Sequence, residues 1–202
     1  MRNAIQLRTN TVKDTIIVCG QLNSTVNEPI DSWTFFRWLQ DNGIPSRYVV
    51  WKKHTMLNRM RADNGLKDVV LLSGNGVDNF EFIEKCQDLL PRLKAVVMEN
   101  TALNPWIWRY FHMLDECSYV FMQHGPTFWK MASKHIGSFA VANYVNVASE
   151  AEKEFLEKHV PAHWETGRKP SYLIAGLPRW DLLKDESSSE REKVIFYMPT
   201  WR

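Results

Sequence analysis

The feature that most constrains the fold is the repeated alternation of short apolar runs with helical patterns. The first run, residues 15–20, is β-branched and ends in Gly20, and a helical pattern over residues 33–39 follows, with Gly43 as a stop signal. Strands that alternate with helices and are apolar along their length form a parallel sheet covered on both faces. We therefore expect an α/β fold with a doubly wound, Rossmann-like parallel sheet.

The same alternation predicts the remaining elements. Further strands are expected at residues 47–51, 68–74, 94–98, 118–123, 139–147, 172–176 and 194–198. Helices are expected at residues 79–90, after Asn104 and Pro105, and after Ser149, which forms a capping-box pattern with Glu152. A charged, Ser-rich stretch over residues 185–192 predicts a linker. We expect residues 1–184 to form one domain and residues 185–202 to hold the linker and the first strand of a second domain.

Charge and cysteine content exclude several classes of protein. The 25 basic and 23 acidic residues leave a net charge of +2, so no nucleic-acid partner is expected. The three cysteines, Cys19, Cys86 and Cys117, are widely spaced, which is typical of reduced thiols in a cytoplasmic protein. No run approaches the roughly 20 apolar residues of a membrane span, and no signal peptide is expected.

The residues that follow each strand are the places to look for chemistry, because ligands bind beyond the carboxyl ends of parallel strands. His124 follows the predicted strand at residues 118–123 and precedes Gly125, which lets the backbone turn or approach a ligand. A histidine there is a candidate general base for activating a hydroxyl, and the alternative is a hydrogen-bonded structural histidine.

Other motifs argue against a cofactor or a metal. Residues 74–76 read Gly-Asn-Gly but lack the third glycine of a dinucleotide site and the lysine of a P-loop. His159 and His163 have the spacing of metal ligands on a helix, but Pro161 lies between them. We expect neither a cofactor nor a metal site.

Residues 47–67 form a basic stretch, with six cations and the lone acid Asp63. A surface of this kind suits an anionic membrane or a polyanionic substrate, and the alternative is an ordinary solvated helix face. The residues that we assign to this candidate anion patch are Lys52, Lys53, Arg59 and Arg61.

Three strand-end segments together carry a resemblance to a known family. They are Gln123-His-Gly125, residues 147–155, and residues 176–183 with their G-x-P-R-x-D pattern, which lead to a P-T-W-R ending at Arg202. In this order and spacing they resemble the CDP-glycerol glycerophosphotransferase family, the teichoic-acid primases and polymerases and their capsule-polymer relatives. The likeness covers about residues 115–202.

The resemblance implies the N-terminal, acceptor-binding half of a GT-B enzyme, with a second domain that holds most of the CDP-glycerol donor. Such an enzyme moves glycerol phosphate to a lipid-linked polyol-phosphate or sugar acceptor, releases CMP, and works as a peripheral protein on the cytoplasmic face of the membrane. Because the second domain is missing, we expect the 202-residue chain alone to be inactive.

The resemblance also implies roles for individual residues. His124 corresponds to the base that deprotonates the acceptor hydroxyl. Gln123 stands where many members have Trp, and Lys130 corresponds loosely to a family lysine. The residues that we assign to substrate binding are Gln123, Gly125, Lys130, Arg179, Thr200 and Arg202.

Two other functions stay open at this point. A sugar-nucleotide-dependent glycosyltransferase of the same GT-B build would share this half, because donor specificity lies mainly in the other domain. The chain as it stands could also be a non-catalytic module that binds the acceptor and the membrane.

Overall fold

A parallel sheet is the centre of the computed structural model. The structure describes residues 12–20, 31–51, 68–72, 84–98, 117–123, 139–163 and 166–182. Seven strands lie in these ranges: β1 Thr15–Cys19, β2 Ser46–Trp51, β3 Val69–Leu72, β4 Leu93–Met98, β5 Ser118–Phe121, β6 Tyr144–Val147 and β7 Ser171–Ile174.

The strands lie in the order β3-β2-β1-β4-β5-β6-β7, and every neighbouring pair is parallel. The direction of winding reverses at β1, where Val18 is opposite Tyr48 of β2 on one side and Val97 of β4 on the other. This is the topology of a doubly wound, Rossmann-like sheet. The predicted fold class is therefore confirmed.

Two α-helices lie wholly within the described ranges, α1 at Asp31–Asp41 and α2 at Glu150–His159. After α1, Gly43 adopts a φ of 67°, and its N–H donates to the carbonyl of Gln40. At the start of α2, the Ser149 hydroxyl accepts from the Glu152 N–H at 3.3 Å. The Glu152 carboxylate accepts from the N–H of Ala148 at 2.7 Å, so the capping box is present with its return bond one residue earlier than usual.

The two helices cover opposite faces of the sheet. Phe36 and Leu39 of α1 pack with Val18 in one buried cluster. Leu156 of α2 packs with Ile17 in the other, so neighbouring residues of β1 contribute to different sides of the core. The inner strands β1 and β4 are thus largely buried on both faces, which explains why they are apolar without alternation, whereas the edge strand β7 is mostly exposed.

The prediction of a strand over residues 139–147 is wrong for its first part. Phe139 and Ala140 are helical, a turn follows, and β6 begins only at Tyr144. Residues 139–142 are all buried. A short apolar run cannot distinguish a strand that is buried on both faces from the buried end of a helix.

The predicted helix over residues 79–90 is described only from Glu84 onward. It ends at Cys86, a turn follows, and a 3₁₀-helix occupies Leu90–Arg92. Pro91 lies near the start of this 3₁₀-helix, where its missing N–H costs no intrahelical hydrogen bond. A second 3₁₀-helix, Pro178–Leu182, follows β7.

Several predicted elements lie outside the described residues. They are the glycine turn at 74–76, the helix after Asn104, the linker at 185–192 and the strand at 194–198. Among the described residues, no helix is both long and apolar enough to cross a membrane.

Candidate functional site

Hydrogen bonds join the carboxyl ends of β5, β6 and β7. The side-chain amide of Gln123, just after β5, donates to the backbone carbonyl of Asn146 in β6 at 2.6 Å. The Asn146 side chain in turn donates to the carbonyl of Gly176, which follows β7, at 2.6 Å. Two segments that carry the family resemblance, around Gln123 and Gly176, are thereby held together through Asn146.

Gln123 has an unusual backbone. Its φ is 66°, which a side chain larger than glycine adopts only at a cost of about 1–2 kcal/mol. Its neighbour Met122 is fixed by donating to the carbonyl of Met98 at 2.7 Å. Gln123 is also almost fully buried. The hydrogen bond to Asn146 thus belongs to a buried strand end in a rare backbone conformation.

Arg179 of the second 3₁₀-helix contacts the first residue of α1. Its backbone N–H donates to Oδ1 of Asp31 at 3.0 Å, and its guanidinium Nη1 lies 3.2 Å from Oδ2. The second contact is an ion pair without hydrogen-bond geometry: among the described residues, Oδ2 has no hydrogen-bond partner. Asp31 is fully buried, whereas the Arg179 side chain is 30% exposed. The charge of Asp31 is therefore balanced inside the protein by a group that also reaches solvent.

The winding reversal at β1 brings a glycine against a buried tyrosine. Gly20 follows β1, and its N–H donates to the carbonyl of Val49 at 3.0 Å. A Cβ at Gly20 would overlap the phenol of Tyr48, which is fully buried. The Tyr48 hydroxyl lies 3.0 Å from the hydroxyl of Ser32 near the start of α1. The phenol of Tyr48 thus packs directly against the end of β1 and the start of α1.

Two of the predicted substrate-binding residues, Gln123 and Arg179, are described, and they lie at the same edge of the sheet. Arg179 is engaged by the buried carboxylate of Asp31. The other predicted site residues lie outside the described residues: His124, Gly125, Lys130, Thr200 and Arg202.

The candidate anion patch also lies outside the described residues, at Lys52, Lys53, Arg59 and Arg61. One cation of the surrounding basic stretch, Arg47, is described. It donates through Nη1 to both carboxylate oxygens of Asp88 at 3.2 Å. Arg47 is therefore charge-balanced and adds little to a free basic surface.

The three thiols are poor nucleophiles in this fold. Burial raises the pKa of Cys86 to about 12 and that of Cys117 to about 11, and it also raises the pKa of Cys19 well above its usual value. A thiol attacks as the thiolate, so none of the three is activated. Within the described ranges, no group of three or more His, Cys, Asp or Glu side chains could hold a metal ion.

Sequence reasoning missed Asp31 and Asn146. Asn146 carried a signal, since it is the polar residue in the otherwise apolar run Val145 to Val147. Asp31 carried none, because its partner Arg179 lies 148 positions away.

Comparison with known proteins adds no assignment: neither a scan against protein-family models nor a search of the curated proteins finds a match. The fold and the described site define a Rossmann-like α/β domain with a hydrogen-bonded carboxyl edge.

Proposed function

We propose that the protein is a glycerophosphotransferase that moves glycerol phosphate from CDP-glycerol to a lipid-linked cell-wall or capsule polymer. In this proposal the chain is the acceptor-binding half of a GT-B enzyme. The supporting observation is that Gln123, directly before His124 in the sequence, is joined through Asn146 to Gly176 of the G-x-P-R-x-D segment. Segments that resemble one family in sequence thus meet at the edge of the sheet where ligands of doubly wound folds bind.

The reaction needs a base and cations. The acceptor hydroxyl attacks the phosphorus of the glycerophosphoryl group, His124 takes the hydroxyl proton, and the bond between phosphorus and the CMP oxygen breaks as CMP leaves. A histidine suits this task because its ordinary pKa is close to neutral pH. Developing charge on the phosphoryl oxygens requires donors nearby, and Arg179 and Arg202 take that role in the proposal.

The described contacts of Arg179 are compatible with this role. A guanidinium carries five N–H donors, and the ion pair with Asp31 engages Nη1. Since the side chain is 30% exposed, the guanidinium also reaches the solvent side, from which a substrate would approach. Asp31 would then fix the direction of the guanidinium and lower its mobility before the substrate binds.

We further propose that the enzyme works as a peripheral protein on the cytoplasmic face of the membrane. A lipid-linked acceptor requires access to the bilayer surface, and the candidate anion patch offers cations for anionic headgroups.

The test is an assay of the complete gene product for CMP release from CDP-glycerol in the presence of a lipid-linked polyol-phosphate acceptor. His124→Ala should lower the rate by roughly 10²–10⁴-fold without changing the circular dichroism spectrum. His159→Ala is the matched control, because His159 is exposed on α2, on the sheet face opposite α1. Release of a nucleotide from UDP-sugars but not from CDP-glycerol would assign the protein to the glycosyltransferases instead. Activity of His124→Ala within a few-fold of the parent would reject the role of the histidine.

A further inference from the structure

An apolar groove lies beside α1 on the face of the sheet that carries Val97. It has a volume of about 820 Å³ and is lined mainly by hydrocarbon. Trp33 and Trp38 of α1 form one wall, and Val120 of β5 and Leu173 of β7 lie on the sheet side. Trp38 is 53% exposed and Leu173 is 42% exposed. A segment that covers this surface is stabilised, because apolar area is then removed from water.

The connections between strands run on the other face of this half of the sheet. Phe139, just before β6, and Leu156, between β6 and β7, both belong to the core cluster on the α2 side. Connections between parallel strands are right-handed in about 98% of cases, and from β4 to β7 every right-handed connection runs on the α2 side. The connection from β2 to β3 runs on the α1 side by the same rule, but β3 is at the far edge of the sheet. The rule therefore leaves the groove to a segment that precedes β1 or follows β7.

The chain reaches the rim of the groove as it leaves β7. The second 3₁₀-helix, Pro178–Leu182, follows β7, and its residues Pro178 and Asp181 line the groove. The N–H of Arg179 donates to Asp31 at the start of α1 at 3.0 Å, which holds this 3₁₀-helix on the α1 side. The segment that follows the 3₁₀-helix therefore starts beside the groove.

Of the two chain segments, the one after β7 has the composition to fill an apolar groove. Residues 194–198 read Val-Ile-Phe-Tyr-Met, which is an unbroken apolar run. Residues 1–11 have no more than two apolar residues in a row. Val12, which leads into β1, is 74% exposed, so the chain before β1 lies toward solvent.

We infer that the groove beside α1 is the docking site of residues 194–198 of the same chain. Residues 183–193 join this run to the 3₁₀-helix. A flexible linker of this length spans about 17–20 Å on average and gives the run an effective concentration in the millimolar range. Weak apolar contacts are therefore enough to keep it docked.

The free edge of β7 is the other place where an apolar strand could bind. A parallel strand beside β7 that is reached from the α1 side would need a left-handed connection, which is rare. Docking in the groove has no such requirement. The inference goes beyond the proposed function. A second domain that took up residues 194–198 would compete with the groove, so the test uses the 202-residue chain.

Limited proteolysis with chymotrypsin measures the docking, because the protease cleaves after Phe196 and Tyr197 only when the run is accessible. Leu173→Asp places a charge in the groove and should accelerate this cleavage about tenfold, as the loss of one apolar contact predicts. Ile174→Asp is the matched control, because Ile174 is also exposed on β7 but does not line the groove. Its cleavage rate should stay within about twofold of the parent rate.

A second measurement does not depend on how variants of the sheet fold. Phe196→Asp changes only the tethered run and should free the groove, so the fluorescence of the apolar dye anilinonaphthalene sulfonate should rise. Ser188→Asp adds the same charge in the linker and should leave the fluorescence unchanged.

Several results would overturn the inference. They are cleavage of the parent as fast as that of Leu173→Asp, and unchanged dye fluorescence in Phe196→Asp. Equal acceleration by Leu173→Asp and Ile174→Asp would place the run at the edge of β7 instead. Protection that increases with protein concentration would assign the groove to a second copy of the chain.

Discussion

The guanidinium of Arg179 lies 3.2 Å from the carboxylate of Asp31, 148 positions away in the sequence. Asp31 begins α1, which follows the first strand of the sheet, and Arg179 belongs to the 3₁₀-helix after the last described strand. This one contact joins the beginning of the first helix to the end of the described domain. It also offers a direct measure of what a buried, paired charge contributes here.

Removing one partner should have unequal effects on the two sides of this pair. Arg179→Met leaves the fully buried carboxylate of Asp31 without its counter-charge and should lower the free energy of unfolding by about 2–4 kcal/mol. Asp31→Asn leaves a cation that is 30% exposed and can turn toward water, so the loss should be smaller. Urea unfolding of both variants measures the difference.

The double variant serves as the control for this comparison. Arg179→Met combined with Asp31→Asn should be more stable than Arg179→Met alone, because no buried charge remains. Equal losses in the two single variants would show that the ion pair is screened by solvent and contributes little.

Gln123 should respond differently to glycine and to alanine. Gln123→Ala keeps the positive φ and loses the hydrogen bond to Asn146, so it should destabilise the protein by about 1 kcal/mol or more. Gln123→Gly loses the same bond but relieves about 1 kcal/mol of backbone strain. Glycine should therefore be the better replacement in thermal or urea unfolding. If alanine were tolerated better, the backbone at this position would not be strained.

Gly20→Ala should destabilise the protein by about 2–3 kcal/mol, because its methyl group would overlap the Tyr48 phenol. Tyr48 cannot move aside easily, since it is fully buried between Trp33 and Phe36. Gly167→Ala is a control without this overlap, because no atom lies within 4 Å of the position of its Cβ. Gly167 has a φ of 65°, so alanine there should cost only backbone strain of about 1 kcal/mol. A smaller cost of Gly20→Ala in a Tyr48→Leu background would confirm the contact, and an unchanged cost would contradict it.

Stability should decline in mild alkali. The buried thiols of Cys86 and Cys117 have native pKa values of about 12 and 11, whereas a thiol in the unfolded chain titrates near about 8.5. Above that value the unfolded state loses protons first, so each thiol lowers the free energy of unfolding, by about 1 kcal/mol at about pH 9.5. Below about pH 8 the contribution is fully present and constant. Urea midpoints across this range should fall less steeply for Cys86→Ala, and a slope identical to that of the parent would exclude the thiol as a cause.

The candidate anion patch predicts binding to acidic vesicles. Reversing its four cations to Glu should release the protein from vesicles that contain phosphatidylserine, because each basic residue near such a surface contributes about 1 kcal/mol. Sedimentation measures the bound fraction, and high salt should mimic the substitutions.

The control reverses four exposed cations outside the basic stretch, so that the change in net charge is the same. These are Lys94, Lys158, Arg168 and Lys169. Loss of binding in both variants would indicate an effect of net charge alone, and retained binding in the patch variant would contradict the prediction.

The sequence predicted the strands well because each contains a short apolar run, which in β1 and β4 reflects burial on both faces. All seven described strands were expected, and the fold class followed from their alternation with helices. Residues 139–142 misled the prediction for the same reason, since burial makes a helix end as apolar as a strand. A run of apolar residues predicts that a segment is buried. It predicts whether the segment is a helix or a strand only where one face is exposed to solvent, because polar residues then mark the period.

The candidate site was predicted only in part. The family resemblance selected Gln123 and Arg179 as substrate-binding residues, and the structure places both at one edge of the sheet. Their partners could not be predicted, because a hydrogen bond between the ends of separate strands depends on strand order. Strand order is a property of the whole sheet, so no local stretch of sequence predicts it.

The position of β1 inside the sheet, between β2 and β4, has a consequence for synthesis on the ribosome. β1 needs both β2 and β4 as neighbours, yet β4 ends only at Met98. At about 5–20 residues per second, roughly 4–16 seconds separate the synthesis of Cys19 from that of Met98. Through that interval one edge of β1 has no native partner, and an apolar strand with an open edge invites pairing with other chains. Until β4 has been synthesised, this open edge is a place where the nascent chain can mispair.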